Sequence, residues 1–501
     1  VRRSAAIASI LALTASGLVA AASSAAAATS SLTVTALGRD HKPVPKVDIQ
    51  AVNTHDTFTR YEFTSGHARK LPAGTYDVIA DIYNDRDGTD SLIARRIKIS
   101  GATDATLKAA SGKPLAVSLT PSPQGLRQQI TMGLCVAGST ASTWGVADPG
   151  KVFLVPSTLK SIEFAYESSW LPTEPMSHDD RYVVTGQRAG IPNGLSVNRQ
   201  AAALANVAVS GRSGTQTGRV RLDASQYTDA CADGTHQYTP DLTLPYSFHL
   251  HVTPGDWLVA QHGISDRYGD YVDPGHRTFR GGHSYSVSFG RAVYGPGTHA
   301  VPSVAHGVLN FDPGNIVDPH SQSQGIHTKG TDTLTLAGRP VSRNDGTVRL
   351  ARAGWYTLSE QAARSRDHAT MSPRTAVRMR FHADPAVSEV VRVFATRFAP
   401  TGLNSSNQAR AHSNTSIALS FLRPAGNAER SSPADSVKTV HVWASYDGGK
   451  TWHAVKLTHT KKGWTANVHN PASGYVSLRA QLNDTSGSSS VTRIVNAYGI
   501  K

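Results

Sequence analysis

An all-β chain, built as several β-sandwich domains in series, is what this sequence predicts, on three observations. Apolar and polar residues alternate at a period of two in many short runs, as in Leu32-Thr33-Val34-Thr35-Ala36-Leu37. These runs recur about every ten residues with Gly/Pro turns between them, the rhythm of sandwiches and barrels. No long stretch carries a 3.6-residue period; Val197 to Leu204 is the best candidate for a short helix. Composition agrees: 43 Gly and 26 Pro with only 17% charged residues describe folded, turn-rich modules rather than disorder.

Taken in order, residues 1–28 read as a signal peptide. Arg2 and Arg3 supply the basic start, Ala5 to Ala22 the apolar core and Ala26-Ala27-Ala28 the small-residue cleavage site, so a secreted, extracellular protein cut after Ala28 is expected. Loss of Arg2 and Arg3 takes the formal charge from +14 to +12. A chain so basic is expected to adhere to acidic surfaces. Its basic residues read as scattered singly, without the dense block that specific nucleic-acid binding favours. No later stretch is apolar and long enough for a spanning helix, so no membrane association is expected of the mature form. Cys135 and Cys231, an even count in an exported chain, predict one disulfide. It would close a loop of 96 positions (231 − 135) and contribute about 4 kcal/mol in the chain-entropy picture.

Residues 29–122 form the first module. Val47 to Val52 alternates again, Leu71-Pro72-Ala73-Gly74-Thr75-Tyr76-Asp77-Val78 turns into a strand, and Ile93 to Ile99 returns from the polar tip Asn84 to Asp90. The Leu71–Val78 segment resembles the signature of carboxypeptidase-regulatory-like, transthyretin-like sandwiches, which implies that fold and no catalysis of its own. Asp81, Asp85, Asp87 and Asp90 invite a calcium reading. Loop spacing opposes it, because Tyr83 falls at the first ligand position when Gly88 is taken as the invariant glycine, and a solvated hairpin tip is expected.

A β-rich middle domain with the disulfide follows at 123–300, a sandwich-like domain at 301–387, and a C-terminal sandwich at 388–501. In the last, Thr439 to Ser445 and Thr451 to Leu457 read as paired strands around Tyr446-Asp447-Gly448-Gly449-Lys450. The segment fits the Asp-box pattern Ser-x-Asp-x-Gly-x-Thr-Trp at Ser445, Asp447, Gly449, Thr451 and Trp452. Its chemistry is that of a turn: glycines for positive φ, an Asp for the turn amides and a Trp folded onto the hairpin. The box occurs once, whereas a propeller repeats it blade by blade.

The runs Phe279–Gly297, Thr333–Gly338, Val393–Leu403, Ser445–Trp452, Gly474–Ala480 and Arg493–Tyr498 resemble the C-terminal extensions of secreted subtilisin-like serine peptidases of actinobacteria. In that family these immunoglobulin- or fibronectin-like domains follow the catalytic domain and do not cut. The sequence departs from the family at the decisive point: it has no Asp-Thr-Gly, His-Gly-Thr-His or Gly-Thr-Ser-Met segment, so no triad can be placed. Gly282-His283-Ser284-Tyr285-Ser286 lacks the second glycine of a nucleophile elbow, and neither a His-Glu-x-x-His nor a glycine-rich phosphate loop is present.

Weaker candidates remain. Asp266, Tyr268, Asp270, Tyr271 and Asp273 form the best acidic–aromatic loop for ligand binding. His249 and His251, two apart on a strand, share a face and are the metal candidates, although no cofactor is expected. Trp144, Trp170, Trp257, Trp355, Trp443, Trp452 and Trp464 could stack sugars where exposed. The function expected is therefore a secreted non-catalytic protein that resembles a detached peptidase accessory region and binds cell-wall polymer, polysaccharide or a secreted protein. The alternatives are a hydrolase using carboxylates such as Glu163, Asp179, Asp266 and Asp270, and a peptidase partner or inhibitor.

Overall fold

The computed structural model describes residues 30–174, 179–215, 218–226, 236–239, 241–263, 271–297, 300–312, 315–320, 323–325, 329–341, 348–364, 369–386, 391, 393–422, 437–461 and 463–501. The fold is all-β: among these residues no α-helix occurs, only 3-10 turns at Ala109–Ser111 and Ala201–Ala203.

The first part of the chain stacks sheets on sheets. Ser30–Leu37 buries alternate residues and lies between Ala68–Leu71 and Ala102–Lys108, the latter in parallel. Leu32, Val34 and Ala36 face Ile49, Tyr76, Val78 and Ile97 of a second, seven-stranded sheet. That second sheet is covered on its other side too. Ile79, Leu92, Leu115 and Val117 turn away from the first core and pack on Ile130, Met132, Leu134 and Phe164 of a third sheet. Two-sided burial explains why the five consecutive residues Tyr76–Ala80 of the strand Gly74–Asn84 are all buried, instead of alternate ones. The third sheet is long enough to meet a further layer, where Val207, Phe248 and Leu250 pack against Leu222, Trp257 and Val259.

Strands from both sides of residue 122 share the second sheet. Val152–Leu154 runs parallel to Thr89–Ile99, and Leu195–Gln200 runs parallel to Lys113–Thr120. The short-helix candidate Val197 to Leu204 is therefore strand as far as Gln200, with only the turn Ala201–Ala203 helical. Pairing of Leu195 with Leu115 and Val197 with Val117 offers this segment a sheet edge, and that tertiary context outweighs weak helical patterning.

The last part of the chain is built on one sheet of nine described strands. Its central order runs Lys329–Leu336, Gly354–Ala363, Arg374–Ala383, Ser489–Ile500, Gly474–Asp484, Val437–Ser445. One face is apolar. Leu334, Leu358, Met379 and Phe381 pack beside Leu309 and Val348, while Val442, Leu478, Ala480 and Ile494 pack on Phe398, Ile417, Leu419 and Val468 of a four-stranded sheet. Each of these residues larger than alanine contributes roughly 1.5–3 kcal/mol on burial. The expected strand after the Asp box divides: His453–Ala454 stays with this sheet, whereas Lys456–Thr460 crosses to the four-stranded one. Alternation leaves every second residue of the long strands on the opposite face, which no described sheet covers.

Candidate functional site

The Asp box folds as a turn held by one carboxylate. Asp447 Oδ1 accepts from the Ser445 hydroxyl at 2.7 Å, the Lys450 amide at 2.9 Å and the Thr451 amide at 3.0 Å. Its Oδ2 accepts from the Thr451 hydroxyl at 2.6 Å. These donors, the Thr451 hydroxyl first, hold the Asp447 carboxyl well below the usual carboxylate range. Ser445 Oγ in turn accepts from the Gly449 amide at 2.8 Å. Both side chains are committed to the turn, so neither serves as a nucleophile or base.

Gly449 has φ of +86°, and a Cβ there would lie 2.6 Å from the Arg493 guanidinium. That close approach lets Arg493 donate to the Gly449 carbonyl at 2.8 Å while its guanidinium sits 5.5 Å from the Trp452 ring. The turn is thereby pinned above the sheet and roofs a cavity of about 440 Å³. Thr331, Gln361, Ala363, Arg374 and Ala376 line it from the sheet together with Lys329 and Arg493, and Lys450 lines it from the turn. No Asp or Glu lines it.

Strand register extends this charge across the open face. Lys329 stands beside Ala363, and Ala363 beside Arg374. In the next row Thr331, Gln361, Ala376, Arg493, Arg479 and Trp443 follow one another across six strands. Arg378 and Arg380, about 7 Å apart along the strand, continue the Arg374 column, with Ala376 between Arg374 and Arg378. The neighbours on this face are Thr333, Thr335, Thr357, Ser359, Gln481, His441 and Ser489, and the described strands place no carboxylate among them. Lys329, Lys450 and these arginines form no ion pair with another described residue. Asp332 and Glu360 belong to the covered side of the same strands. The tryptophans are capped by the cations: Arg380 lies 4.0 Å over Trp355 and Arg479 lies 4.8 Å over Trp443.

Elsewhere, the structure distributes the remaining candidates. Asp266, Tyr268 and Asp270 lie outside the described residues. Tyr271 and Asp273 form the strand Tyr271–Asp273, paired with Gly255–Gly263, but their side chains also fall outside the description. His249 and His251 do share a face, 6.4 Å apart between rings. Each is engaged, His249 with Asn206 at 2.9 Å and His251 with Asp180 at 2.7 Å. Among the described residues no group of three His, Cys, Asp or Glu could hold a metal ion. Glu163 is the second residue of the strand Ile162–Leu171, beside Cys135, and Asp179 precedes Asp180–Ala189. Cys135 is buried and no described cysteine is free; Cys231 lies outside the described residues. Trp170 and Trp257 are core residues, and Trp464 stacks on His459 at 4.2 Å.

The acidic quartet of the first module splits. Asp87 caps the hairpin tip through Thr89, as a solvated turn does. Asp81 and Asp90 turn inward on neighbouring strands and press on Gly145, whose Cβ would lie 2.3 Å from Asp90 Oδ2 and 2.8 Å from Asp81 Oδ1. Burial, then the hydrogen bond and charge of Asp90, push Asp81 far above the usual carboxylate range.

The arginine face is the feature that residue-by-residue inspection missed. Its signal was present in Arg374-x-x-x-Arg378-x-Arg380, alternating with Val377, Met379 and Phe381, but only the register joins that column to Arg479 and Arg493.

No family model matches the chain, and no curated protein matches it. Among solved structures it is similar to the Bacillus anthracis TIE protein, with 11% identity over 52% of this chain and 50% of that one and a TM-score of 0.13. It is also similar to BcpA, the major pilin subunit of Bacillus cereus, at 5% identity, 52% and 98% coverage and a TM-score of 0.13. For Sidekick-1 immunoglobulin domains 1–5 the values are 9%, 95% and 100%, with a TM-score of 0.12. The chain spans half the length of the first of these. Likeness at such TM-scores carries no functional argument.

Proposed function

We propose that this is a secreted, non-catalytic binding protein that holds an acidic polysaccharide or acidic cell-wall polymer on the open face of its nine-stranded sheet. The observation that carries the reading is the set Arg374, Arg378, Arg380, Arg479 and Arg493, all on one side of three adjacent strands with no carboxylate placed among them. Guanidinium forks pair with carboxylate, sulfate or phosphate in two-pronged fashion, and like charges packed at this spacing repel until an anion separates them. Hydroxyl and amide neighbours suit a hydroxylated chain. A nucleic acid fits less well. Base stacking needs free aromatic faces, and Trp355 and Trp443 are capped by arginines. Groove reading needs a protruding helix or ribbon, and this face is the middle of a broad sheet.

The reading includes export with cleavage after Ala28, a Cys135–Cys231 disulfide, and the role of an accessory region like those of subtilisin-like peptidases. No helix among the described residues is long and apolar enough to cross a membrane. The test is retention of the mature chain on immobilised polygalacturonate, on a neutral glucan and on duplex DNA along a salt gradient. Selective retention on polygalacturonate, falling steeply with salt and weakened by Arg378→Ala with Arg380→Ala, is the expected result. Equal retention on the neutral glucan defeats the proposal, and tighter retention on DNA replaces it with a nucleic-acid one.

A further inference from the structure

We infer that the cavity under the Asp-box turn, which shares Arg374 and Arg493 with the open face, is a subsite for one tetrahedral oxyanion, a phosphate or sulfate ester borne on a sugar or polyol unit. This rests on the polymer-binding reading only in that the subsite would grip one unit of the same ligand. Its composition differs from that of the open face. Lys450 lines it from the turn, while Arg493, fixed by the Gly449 carbonyl, Arg374 and Lys329 line it from three strands of the sheet. Arg374 and Arg493 are diagonal neighbours on adjacent strands, since Arg374 pairs with Val495 and Ala376 with Arg493.

Cations contributed by the turn and by three different strands match a compact group that carries more than one negative oxygen face. A planar carboxylate has one edge to offer and leaves the others unmatched. Thr331 and Gln361 add neutral donors. The volume, about 440 Å³, falls in the usual range for small-molecule clefts and exceeds what a bare anion fills, leaving space for the ring or chain that carries the ester. The Asp box thus acquires a ligand-side role: it sets Lys450 over the cavity, and its own Asp447 faces inward to the turn amides and not to the anion.

Calorimetric titration of the whole mature protein with glucose 1-phosphate, glucose 6-sulfate and glucuronate tests this. Both esters should bind, with glucuronate about tenfold weaker, and Lys450→Ala or Arg374→Ala should weaken the esters about tenfold, the effect of one lost charge-assisted hydrogen bond. Both side chains are exposed, and unchanged melting curves with the conservative Lys450→Gln serve as the folding check. Arg380→Ala, outside the cavity, should leave ester affinity unchanged while lowering polygalacturonate retention. Equal affinity for glucuronate, or esters indifferent to Lys450→Ala, overturns the subsite and leaves the polymer reading standing. Ester binding without polymer retention overturns the polymer reading alone. A preference between phosphate and sulfate identifies the ester.

Discussion

Two regions of this molecule gather like charges, and they resolve the conflict in opposite ways. In the first module Asp81 and Asp90 meet against Gly145 in the interior, where desolvation penalises each charge and mutual repulsion is strong. There the conflict is removed by holding a proton. On the nine-stranded sheet Arg374, Arg378, Arg380 and Arg493 are exposed to solvent, where repulsion is weak, screened over roughly 8–10 Å, and cannot be relieved by losing a proton because guanidinium stays charged. There the charge persists and is available to a ligand. The lesson is that burial, more than proximity, decides whether a cluster of like charges is a structural device or a recognition surface.

Reversing the outer cluster should give the largest change. Arg378→Glu with Arg380→Glu should cut retention on acidic polymer by well over tenfold at low salt, since each substitution removes one cation and adds an anion. Melting temperature should hold or rise, because repulsion on the face is relieved; a fall would mean that the arginines stabilise the sheet. Forcing the inner pair apart comes next. Gly145→Ala puts a methyl group where two carboxyl oxygens lie and should cost about 1–3 kcal/mol in denaturant unfolding.

Asp81→Asn sharpens the comparison through pH. Asp81 is raised in the folded state, so its contribution is full below the unfolded value near 4 and is lost as pH climbs above it. Wild type and variant should therefore match in acid, and the variant should become the more stable, by on the order of 1 kcal/mol, as pH rises to 9. Parallel stability–pH curves would show that no proton is held. Asp447→Ala should have the smallest effect, a modest lowering of melting temperature at neutral pH. Because Asp447 is depressed, its contribution is present above pH 4 and fades as pH falls, so the difference from wild type should shrink in acid.

Local structure was largely legible in the sequence and long-range pairing was not. Period-two alternation located Ser30–Leu37 and Asp48–Asn53, because each has a face more buried than the other. The Asp-box turn followed from its residues, since Asp447 and Gly449 do there what short polar side chains and glycine do in any tight turn. Partnership across the chain leaves no such trace. Nothing in Leu195–Gln200 announces that it lies beside Lys113–Thr120. Likewise Arg479 and Arg493, fourteen positions apart by number (493 − 479), become directly opposed only once their hairpin register is known.

The two-sided sheet of the first module has a consequence for the order of synthesis. Its strands Val152–Leu154 and Leu195–Gln200 leave the ribosome long after Gly74–Asn84, and the face bearing Ile79, Leu92 and Leu115 gains its cover only with Arg127–Val136 and Ile162–Leu171. Loop closure over such separations is slow compared with hairpin formation. A nascent chain of 122 residues thus presents an uncovered apolar sheet with an open edge, the kind of surface that recruits a chaperone or a second chain. Pulse-labelled chains stalled at 122 should be caught by a holdase and chains stalled near 260 released from it; equal capture at both lengths would place the completion of this sheet elsewhere.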